Sequence, residues 1–181
     1  MTNDSPLNNV LEDGVTELSF LPMQAADLDE VLAIEAVSHI HPWTRGNFLD
    51  SLAAGHWAYC IRPQVDQAIK GSYLDPQILW AYCILFPAVD ELHLLNITVS
   101  SKLRRLGIAK RMMNAIEAVA VQQEIPRIIL EVRPSNTAAV NLYQALGYEQ
   151  IGVRKNYYPV NSESGLREDA TVMAKSIKLE P

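Results

Sequence analysis

The apolar and polar positions of this chain follow two periods, and the period changes repeatedly between that of a strand and that of a helix. Apolar, β-branched and aromatic runs predict strands over Thr16–Leu21, His56–Ile61, Gln77–Phe86, Glu91–Val99, Arg127–Arg133, Tyr148–Tyr157 and Glu168–Ile177. Apolar positions three and four residues apart predict helices over Leu28–Ser38, after Thr44, over Gly107–Gln123 and over Asn136–Leu146. The order β-α-α-β-β-β-α-β-α-β-β combines hairpins with helical crossovers. It predicts an α+β or mixed α/β fold, and disfavours a doubly wound dinucleotide fold.

Local signals mark where several of these elements begin and end. Asp27 with Glu30 three residues later predicts a capping box for the first helix. The segment His41-Pro42-Trp43 interrupts helical structure, because the residue before a proline avoids helical backbone angles, and Thr44 is placed to cap a second helix. Gly147 is suited to end the last helix.

Length and composition favour one domain. The chain has 181 residues, of which 49% are hydrophobic, so it is long enough for one full core. We predict a flexible N-terminal extension over residues 1–15 and a single domain over residues 16–181. The first residues lack the basic and apolar regions of a secretion signal, and no stretch is apolar enough to span a membrane, so we expect a cytoplasmic protein.

The chain has two cysteines and four histidines, and neither set predicts a metal site. Cys60 and Cys83 lie in apolar strand-like runs without a C-x-x-C motif, which predicts buried free thiols. His39 and His41 could chelate a metal from one loop, but no third ligand lies at a usable spacing. We therefore expect no bound metal.

Charge is distributed unevenly along the chain. The net charge of −6 argues against a general nucleic-acid binder and is compatible with a basic protein or peptide partner. Yet no acidic residue lies between Leu92 and Ile116, where five cations cluster: Lys102, Arg104, Arg105, Lys110 and Arg111. This cluster surrounds Gly107 at the start of a helix, where unpaired backbone N–H groups favour an anion. The pattern predicts an anion site that would suit a pyrophosphate.

The glycine motif by itself is weak evidence. Neither the P-loop pattern nor the dinucleotide-binding pattern is present, and only R-x-x-G-x-A remains, over Arg104–Ala109. Without further support, a surface helix start with solvated arginines explains it equally well.

Three further polar residues stand out, each with a structural alternative. Glu131 lies among Ile129, Leu130 and Val132, so its carboxylate must form a pair or reach solvent; the structural alternative is a strand-end ion pair with Arg133 or Arg127. Tyr143 lies on an apolar helix face, where tyrosine is commonly a core residue. Asn136 is placed to be a helix N-cap.

These motifs together resemble the GNAT superfamily of acetyl-CoA-dependent N-acetyltransferases over roughly Glu91 to Ile177. The resemblance rests on the glycine loop, on Leu130-Glu131-Val132-Arg133, on Ser135-Asn136, on Asn156-Tyr157-Tyr158-Pro159 and on Arg167-Glu168-Asp169-Ala170. These segments are similar to the RimI type, which acetylates the N-terminal alanine of ribosomal small-subunit protein number eighteen. His41-Pro42-Trp43-Thr44 also resembles a segment of this type.

The resemblance implies a fold and a division of roles. It implies a mixed, mostly antiparallel sheet of about seven strands with a splayed parallel pair, flanked by about four helices. The pantetheine arm of acetyl-CoA would pair with the backbone of Ile97, Thr98 and Val99, with Asn136 beside it. The diphosphate would meet the amides of Arg104, Arg105, Leu106, Gly107, Ile108, Ala109 and Lys110.

The resemblance also assigns the proton transfers and the acceptor. Glu131 would accept the proton of the attacking amine, directly or through water, and Tyr143 would protonate the departing thiolate. A backbone N–H of Val99 or Ile97 would stabilise the oxyanion. The expected acceptor is a basic ribosomal-protein N-terminus, bordered by His41-Pro42-Trp43 and Asn156-Tyr157-Tyr158-Pro159, with no contact to nucleic acid or membrane. The protein would be a monomer or a weak oligomer.

Several departures from the RimI type bear on the acceptor. Ala109 stands where this type usually has glycine, and Pro134 stands where alanine is usual. The Arg62–Pro76 loop and the Asn161–Gly165 segment are longer than usual, and the N-terminal extension is additional. Another N-terminus, a lysine or a small amine therefore stay open as acceptors, and so does a non-catalytic acyl-CoA-binding module.

Overall fold

The computed structural model describes residues 18–63, 78–160 and 165–179. Their elements, in chain order, are β1 Leu18–Pro22, α1 Leu28–Ser38, α2 Arg45–Ala53, β2 Trp57–Pro63, β3 Ala81–Pro87, β4 Leu92–Val99, α3 Ile108–Gln122, β5 Arg127–Val132, α4 Thr137–Ala145, β6 Glu149–Pro159 and β7 Arg167–Ser176. This order is the predicted one. The extension over residues 1–15, the loop residues 64–77 and residues 161–164 lie outside the described residues.

The strands form a seven-stranded sheet in the order β1-β2-β3-β4-β5-β7-β6. Pairing is antiparallel between β1 and β2, β2 and β3, β5 and β7, and β6 and β7, and it is parallel between β4 and β5. The parallel pairing runs from Leu92–Ile128 to Leu94–Leu130, although β4 continues to Val99 and β5 to Val132. The predicted mixed, mostly antiparallel fold is confirmed.

Two local predictions need correction. Asp27 does not cap α1 through its side chain; instead its Oδ2 accepts a hydrogen bond from the Gln24 backbone N–H at 2.8 Å, and its Oδ1 lies 3.2 Å from Arg62 Nη2. The capping box therefore lies one turn earlier, at the short 3-10 helix Ala25–Asp27. The strand that was predicted to begin at Gln77 begins at Ala81. Just before it, the Trp80 N–H donates a hydrogen bond to the Ile61 carbonyl at 2.9 Å.

The described residues fall into two compact units. The first contains the residues up to Leu85 together with Asn96–Val119, and the second contains Phe86–Leu95 and the residues from Ala120 onward. The prediction of a single domain over residues 16–181 stays a prediction.

The first unit has a core between the α1–α2 segment and the β2–β3 hairpin. Phe48 of α2 is fully buried, with its ring centroid 5.3 Å from that of Trp43 and 5.7 Å from that of Tyr82. Burial of one such side chain contributes roughly 1.5–3 kcal/mol. The core members are Met23, Leu28, Val31, Phe48, Ala58, Cys60, Leu79, Tyr82 and Ile84. This packing fixes the ends of the segment between α1 and α2.

The second unit explains how a carboxylate fits in the apolar strand β5. Residues of β5 alternate between buried and half-buried positions, and Ile128, Leu130 and Val132 are the buried ones. Successive side chains of a strand point to opposite faces. Glu131 therefore lies on the half-exposed face, with the hydrophobic core on the other.

Both cysteines are buried free thiols, as predicted. Burial raises the pKa of the Cys60 thiol to about 12, with a smaller contribution from the charge of Asp27. Burial also raises the pKa of Cys83. Neither thiol is suited to act as a nucleophile at neutral pH.

Candidate active site

The basic loop of the first unit is held at both ends and leaves its middle exposed. At the end of β4, the Ser100 N–H donates to the Trp80 carbonyl at 2.8 Å, and a 3-10 turn over Ser101–Leu103 follows. Leu103 is 8% exposed and anchors this turn. The cations Lys102, Arg104, Arg105 and Lys110 are exposed.

The backbone of this loop presents its N–H groups. Arg105 and Gly107 have left-handed backbone angles, with φ of 66° and 76°. The Arg111 N–H donates to the Gly107 carbonyl at 3.0 Å, and the N–H groups of the first turn of α3 have no partner within the helix. Unpaired donors at a helix start, surrounded by cations, favour an anion such as a diphosphate.

The strand residues predicted to hold pantetheine belong to the same unit as this loop. Thr98 is buried, whereas Ile97 and Val99 are half-buried. Thr98 Oγ1 lies 2.8 Å from His39 Nε2 and donates to Asn96 Oδ1 at 3.1 Å. The side chain of Thr98 is thus engaged within the unit. A role in binding acetyl-CoA would fall to the strand backbone.

Glu131, in the second unit, forms an ion pair that sequence reasoning did not identify. Its Oε1 lies 2.8 Å from Nε of Arg154, and its side chain is 21% exposed. The partners expected under the structural alternative are engaged elsewhere: Arg133 lies 3.4 Å from Glu168, and Arg127 lies 3.5 Å from Glu91. The alternative was wrong about the partner, since β6 supplies it from a distant part of the sequence.

Two tyrosines of β6 complete the surroundings of Glu131. Burial, a hydrogen bond to Glu131 and the charge of Glu131 raise the pKa of Tyr157. Burial, followed by the charge of Glu131, raises the pKa of Tyr158, and Tyr143 contributes to the same shift. The guanidinium of Arg133 lies 4.2 Å from the centre of the Tyr158 ring. Tyr158 is therefore within electrostatic range of both predicted catalytic residues.

Tyr143 lies on α4 and is 6% exposed. Burial raises the pKa of its phenol to about 12, so the hydroxyl keeps its proton throughout the neutral range. Its ring centroid lies 5.9 Å from that of Tyr148. Tyr143 is thus a packed core residue that still carries a proton to donate, and the two interpretations of this residue are compatible.

A left-handed residue in β6 sets the direction of the two tyrosines. Asn156 has φ of 52°, and the register between β6 and β7 shifts between Arg154 and Tyr158. The Asn156 N–H donates to Asp169 Oδ1 at 2.8 Å, and its carbonyl accepts from Arg167 Nε at 2.6 Å. Asparagine tolerates this conformation better than most residues, which is the one sequence signal that could have located the bulge.

Asn136 is the N-cap of α4, because its Oδ1 accepts from the Ala139 N–H at 3.3 Å. Just before it, Ser135 donates its N–H to Glu168 Oε1 at 2.7 Å. The N-cap interpretation is confirmed. The contact between Asn136 and pantetheine stays a prediction.

No group of three or more His, Cys, Asp or Glu in the described ranges is arranged to hold a metal ion. Across residues 18–63, 78–160 and 165–179, no helix has the length and apolar character needed to cross a membrane.

Comparison with known proteins identifies the relatives of this chain. The model of the acetyltransferase (GNAT) family matches residues 29–148. A [ribosomal protein bS18]-alanine N-acetyltransferase of Haemophilus ducreyi is 32% identical over 148 residues, which are 82% of this chain and 92% of the relative. The Escherichia coli K12 enzyme of the same name is 29% identical over 157 residues, 87% of this chain and 96% of the relative.

Solved structures of other proteins share the fold of this chain. The crystal structure of the ribosomal-protein-S18-alanine N-acetyltransferase from Escherichia coli has a TM-score of 0.76 and 25% identity, covering 91% of this chain and 97% of that one. Ard1 from Thermoplasma volcanium shares the fold, with a TM-score of 0.72 at 19% identity over 89% of this chain and 98% of that one.

Proposed function

We infer the reaction from the family to which this chain belongs, the acetyltransferase (GNAT) family, whose members use acetyl-CoA as acetyl donor. The chain is an acetyl-CoA-dependent N-acetyltransferase. Its proposed acceptor is the N-terminal alanine of ribosomal protein bS18. The observation that carries this acceptor is the similarity, over more than four fifths of the chain, to enzymes named for that reaction.

The first unit supplies the proposed diphosphate site. The backbone N–H groups of residues 104–110 and the exposed cations Lys102, Arg104, Arg105 and Lys110 are complementary to the diphosphate of acetyl-CoA. We assign the pantetheine arm to the backbone of Ile97, Thr98 and Val99, and to Asn136. The Val99 or Ile97 N–H is the proposed donor to the oxyanion.

The second unit supplies the proposed proton transfers. An α-amino group has a pKa of about 8, so on the order of a tenth is the free amine near neutral pH. The nitrogen lone pair attacks the thioester carbonyl, forming the C–N bond as the C–S bond breaks. Glu131 accepts the proton lost by nitrogen, directly or through water, and Tyr143 donates its proton to the leaving thiolate. The products are an acetylated amine and free CoA, without a covalent enzyme intermediate.

The pair between Glu131 and Arg154 fits this role. A cation already lies 2.8 Å from the carboxylate. An incoming N-terminal ammonium is also a cation and can replace Arg154 at Glu131; it releases one proton to solvent before its lone pair attacks, and Glu131 accepts the second. Arg154 is largely exposed, with 60% of its side chain open to solvent, and can move away at little cost.

We propose a cytoplasmic enzyme that acts as a monomer or weak oligomer on a basic ribosomal-protein N-terminus, without binding nucleic acid or membrane. Another protein N-terminus, a lysine or a small amine are alternative acceptors. The presence of both Glu131 and Tyr143 disfavours a non-catalytic module.

The purified protein should be incubated with acetyl-CoA and a peptide that matches the N-terminus of the cognate bS18. Intact peptide mass is followed beside an α-amine-blocked control peptide. We expect one added acetyl group on the free peptide and none on the blocked one. Acetylation of both would indicate a lysine acceptor, and binding of acetyl-CoA without any transfer would move the search to other amines.

A further inference from the structure

Glu35 is a buried carboxylate to which the proposed reaction assigns no role. It lies on α1 in the first unit and is 1% exposed. Burial of a carboxylate is unfavourable unless hydrogen bonds compensate for the lost hydration. The hydrogen-bond partners of Glu35 therefore show which parts of the first unit this buried carboxylate holds together.

Both carboxylate oxygens of Glu35 are engaged. Oε1 accepts a hydrogen bond from the backbone N–H of Trp43 at 2.8 Å. Oε2 accepts from the phenol of Tyr82 and lies 3.3 Å from His39 Nε2. One side chain thus joins β3 and the end of α1 to the backbone between α1 and α2.

The hydrogen bond from the Trp43 N–H to the buried Glu35 carboxylate holds the backbone of the segment His41-Pro42-Trp43. The Nε2 atom of His41 is buried and has no hydrogen-bond partner in the described part of the chain, so that nitrogen does not anchor the segment. Pro42 has no N–H to donate. The Trp43 ring packs against Phe48, whereas the Trp43 backbone is held by Glu35.

The same network reaches the strand expected to bind acetyl-CoA. The Thr98 hydroxyl donates to Asn96 Oδ1 at 3.1 Å and lies within hydrogen-bond distance of His39 Nε2, at 2.8 Å. His39 thus links Glu35 to β4 through the Thr98 side chain. The Tyr82 phenol also forms hydrogen bonds with the side chains of Thr98 and Asn96.

We propose that Glu35 is a positioning residue for the acceptor peptide, which it serves by fixing the backbone of His41-Pro42-Trp43. The proposal rests on the proposed function and on the sequence-based expectation that this segment borders the acceptor. Since Glu35 reaches β4 only through side chains, its loss weakens use of the peptide more than use of acetyl-CoA.

Three variants separate positioning from stability. Glu35→Asp keeps the charge but shortens the side chain, so its carboxylate no longer reaches both Trp43 N–H and the Tyr82 phenol. Glu35→Gln keeps the reach and one oxygen acceptor for Trp43 N–H. Tyr82→Phe removes the phenol, with its hydrogen bonds to Glu35, Thr98 and Asn96, and leaves the contact between Glu35 and Trp43 intact.

Peptide KM, acetyl-CoA KM, thermal unfolding and the exchange rate of the Trp43 amide are measured for each variant. Glu35→Asp should raise the peptide KM about fivefold, as loss of one hydrogen bond allows. It should speed Trp43 amide exchange and leave the acetyl-CoA KM within about twofold. In Glu35→Gln, the peptide KM and the exchange rate of the Trp43 amide should both be close to those of wild type. Tyr82→Phe should lower the unfolding temperature without raising the peptide KM.

The proposal is overturned if Glu35→Asp leaves the peptide KM unchanged or raises both KM values equally. It is also overturned if Tyr82→Phe raises the peptide KM as much as Glu35→Asp does. If the wild-type protein acetylates no α-amine, the proposed function fails; the amide exchange of Trp43 in Glu35→Asp then still shows whether Glu35 holds the segment.

Discussion

At the scale of single residues, Glu131 is the sharpest test of the mechanism. Glu131→Gln keeps the shape of the side chain and removes its ability to accept a proton. We expect kcat to fall on the order of 10²-fold, as for loss of a general base, with acetyl-CoA affinity nearly intact. Steady-state kinetics and calorimetric titration of acetyl-CoA measure the two quantities. An unchanged kcat would remove Glu131 from the proton transfer.

Tyr143 differs from Glu131, because it is both buried and proposed to react. Tyr143→Phe removes the proton that would reach the thiolate, so we expect kcat to fall at least about tenfold with little change in either KM. Tyr148→Phe is the matched control, since that ring is also buried and lies 5.9 Å away. Equal kcat losses in both variants, in step with their thermal unfolding, would show that Tyr143 serves only the core.

At the scale of elements, the basic loop depends on the backbone of Gly107. Gly107 and Gly55 have φ of 76° and 75°, and a Cβ at either position would meet nothing within 4 Å. Alanine at either position should therefore cost about 1–2 kcal/mol of stability through backbone strain alone. Only Gly107→Ala should raise the KM for acetyl-CoA.

Acetylpantetheine, which lacks the diphosphate, completes this comparison. If the loop binds the diphosphate, Gly107→Ala and wild type should use acetylpantetheine equally poorly. A loss with acetylpantetheine as large as that with acetyl-CoA would assign Gly107 to folding rather than to anion binding.

A second prediction at the scale of elements concerns the β6 bulge at Asn156. Asn156→Val places a β-branched residue at φ of 52°, which should cost about 2 kcal/mol in urea unfolding and raise the peptide KM by misdirecting Tyr157 and Tyr158. Asn156→Gly accepts the same φ and should stay near wild-type stability. A valine variant as stable as wild type would show that the left-handed conformation is not required.

The elements themselves could be predicted from sequence, because hydrophobic period, proline and glycine act locally. The pairing of charged side chains could not be predicted from sequence, because it depends on contacts between distant parts of the chain. The structural alternative for Glu131 was a pair with Arg133 or Arg127, yet Arg154 reaches it from β6, and only sheet pairing brings β6 to that position through β7. Glu35 was missed for the same reason, since its partners Tyr82 and Trp43 are supplied by other elements.

At the scale of the whole molecule, buried acids set the stability at alkaline pH. The pKa of Cys60 is raised from 9.0 to about 12, and that of Tyr143 from 10.0 to about 12, in both cases chiefly by burial. Between about pH 9 and 12 the unfolded chain therefore loses protons that the folded protein retains. Stability rises with pH only where the unfolded state binds more protons, so here it must fall.

We therefore expect the free energy of unfolding in urea to be constant up to about pH 8.5 and to decline above pH 9. Each retained proton contributes a slope of about 1.4 kcal/mol per pH unit. Cys60→Ala should lower the stability at neutral pH, because it leaves a small cavity, and should also flatten the alkaline decline, because one titrating group is gone. The comparison uses slopes rather than absolute stabilities, which separates the proton effect from the cavity. An equal slope in both proteins would mean that the Cys60 thiol ionises as readily in the folded protein as in the unfolded chain.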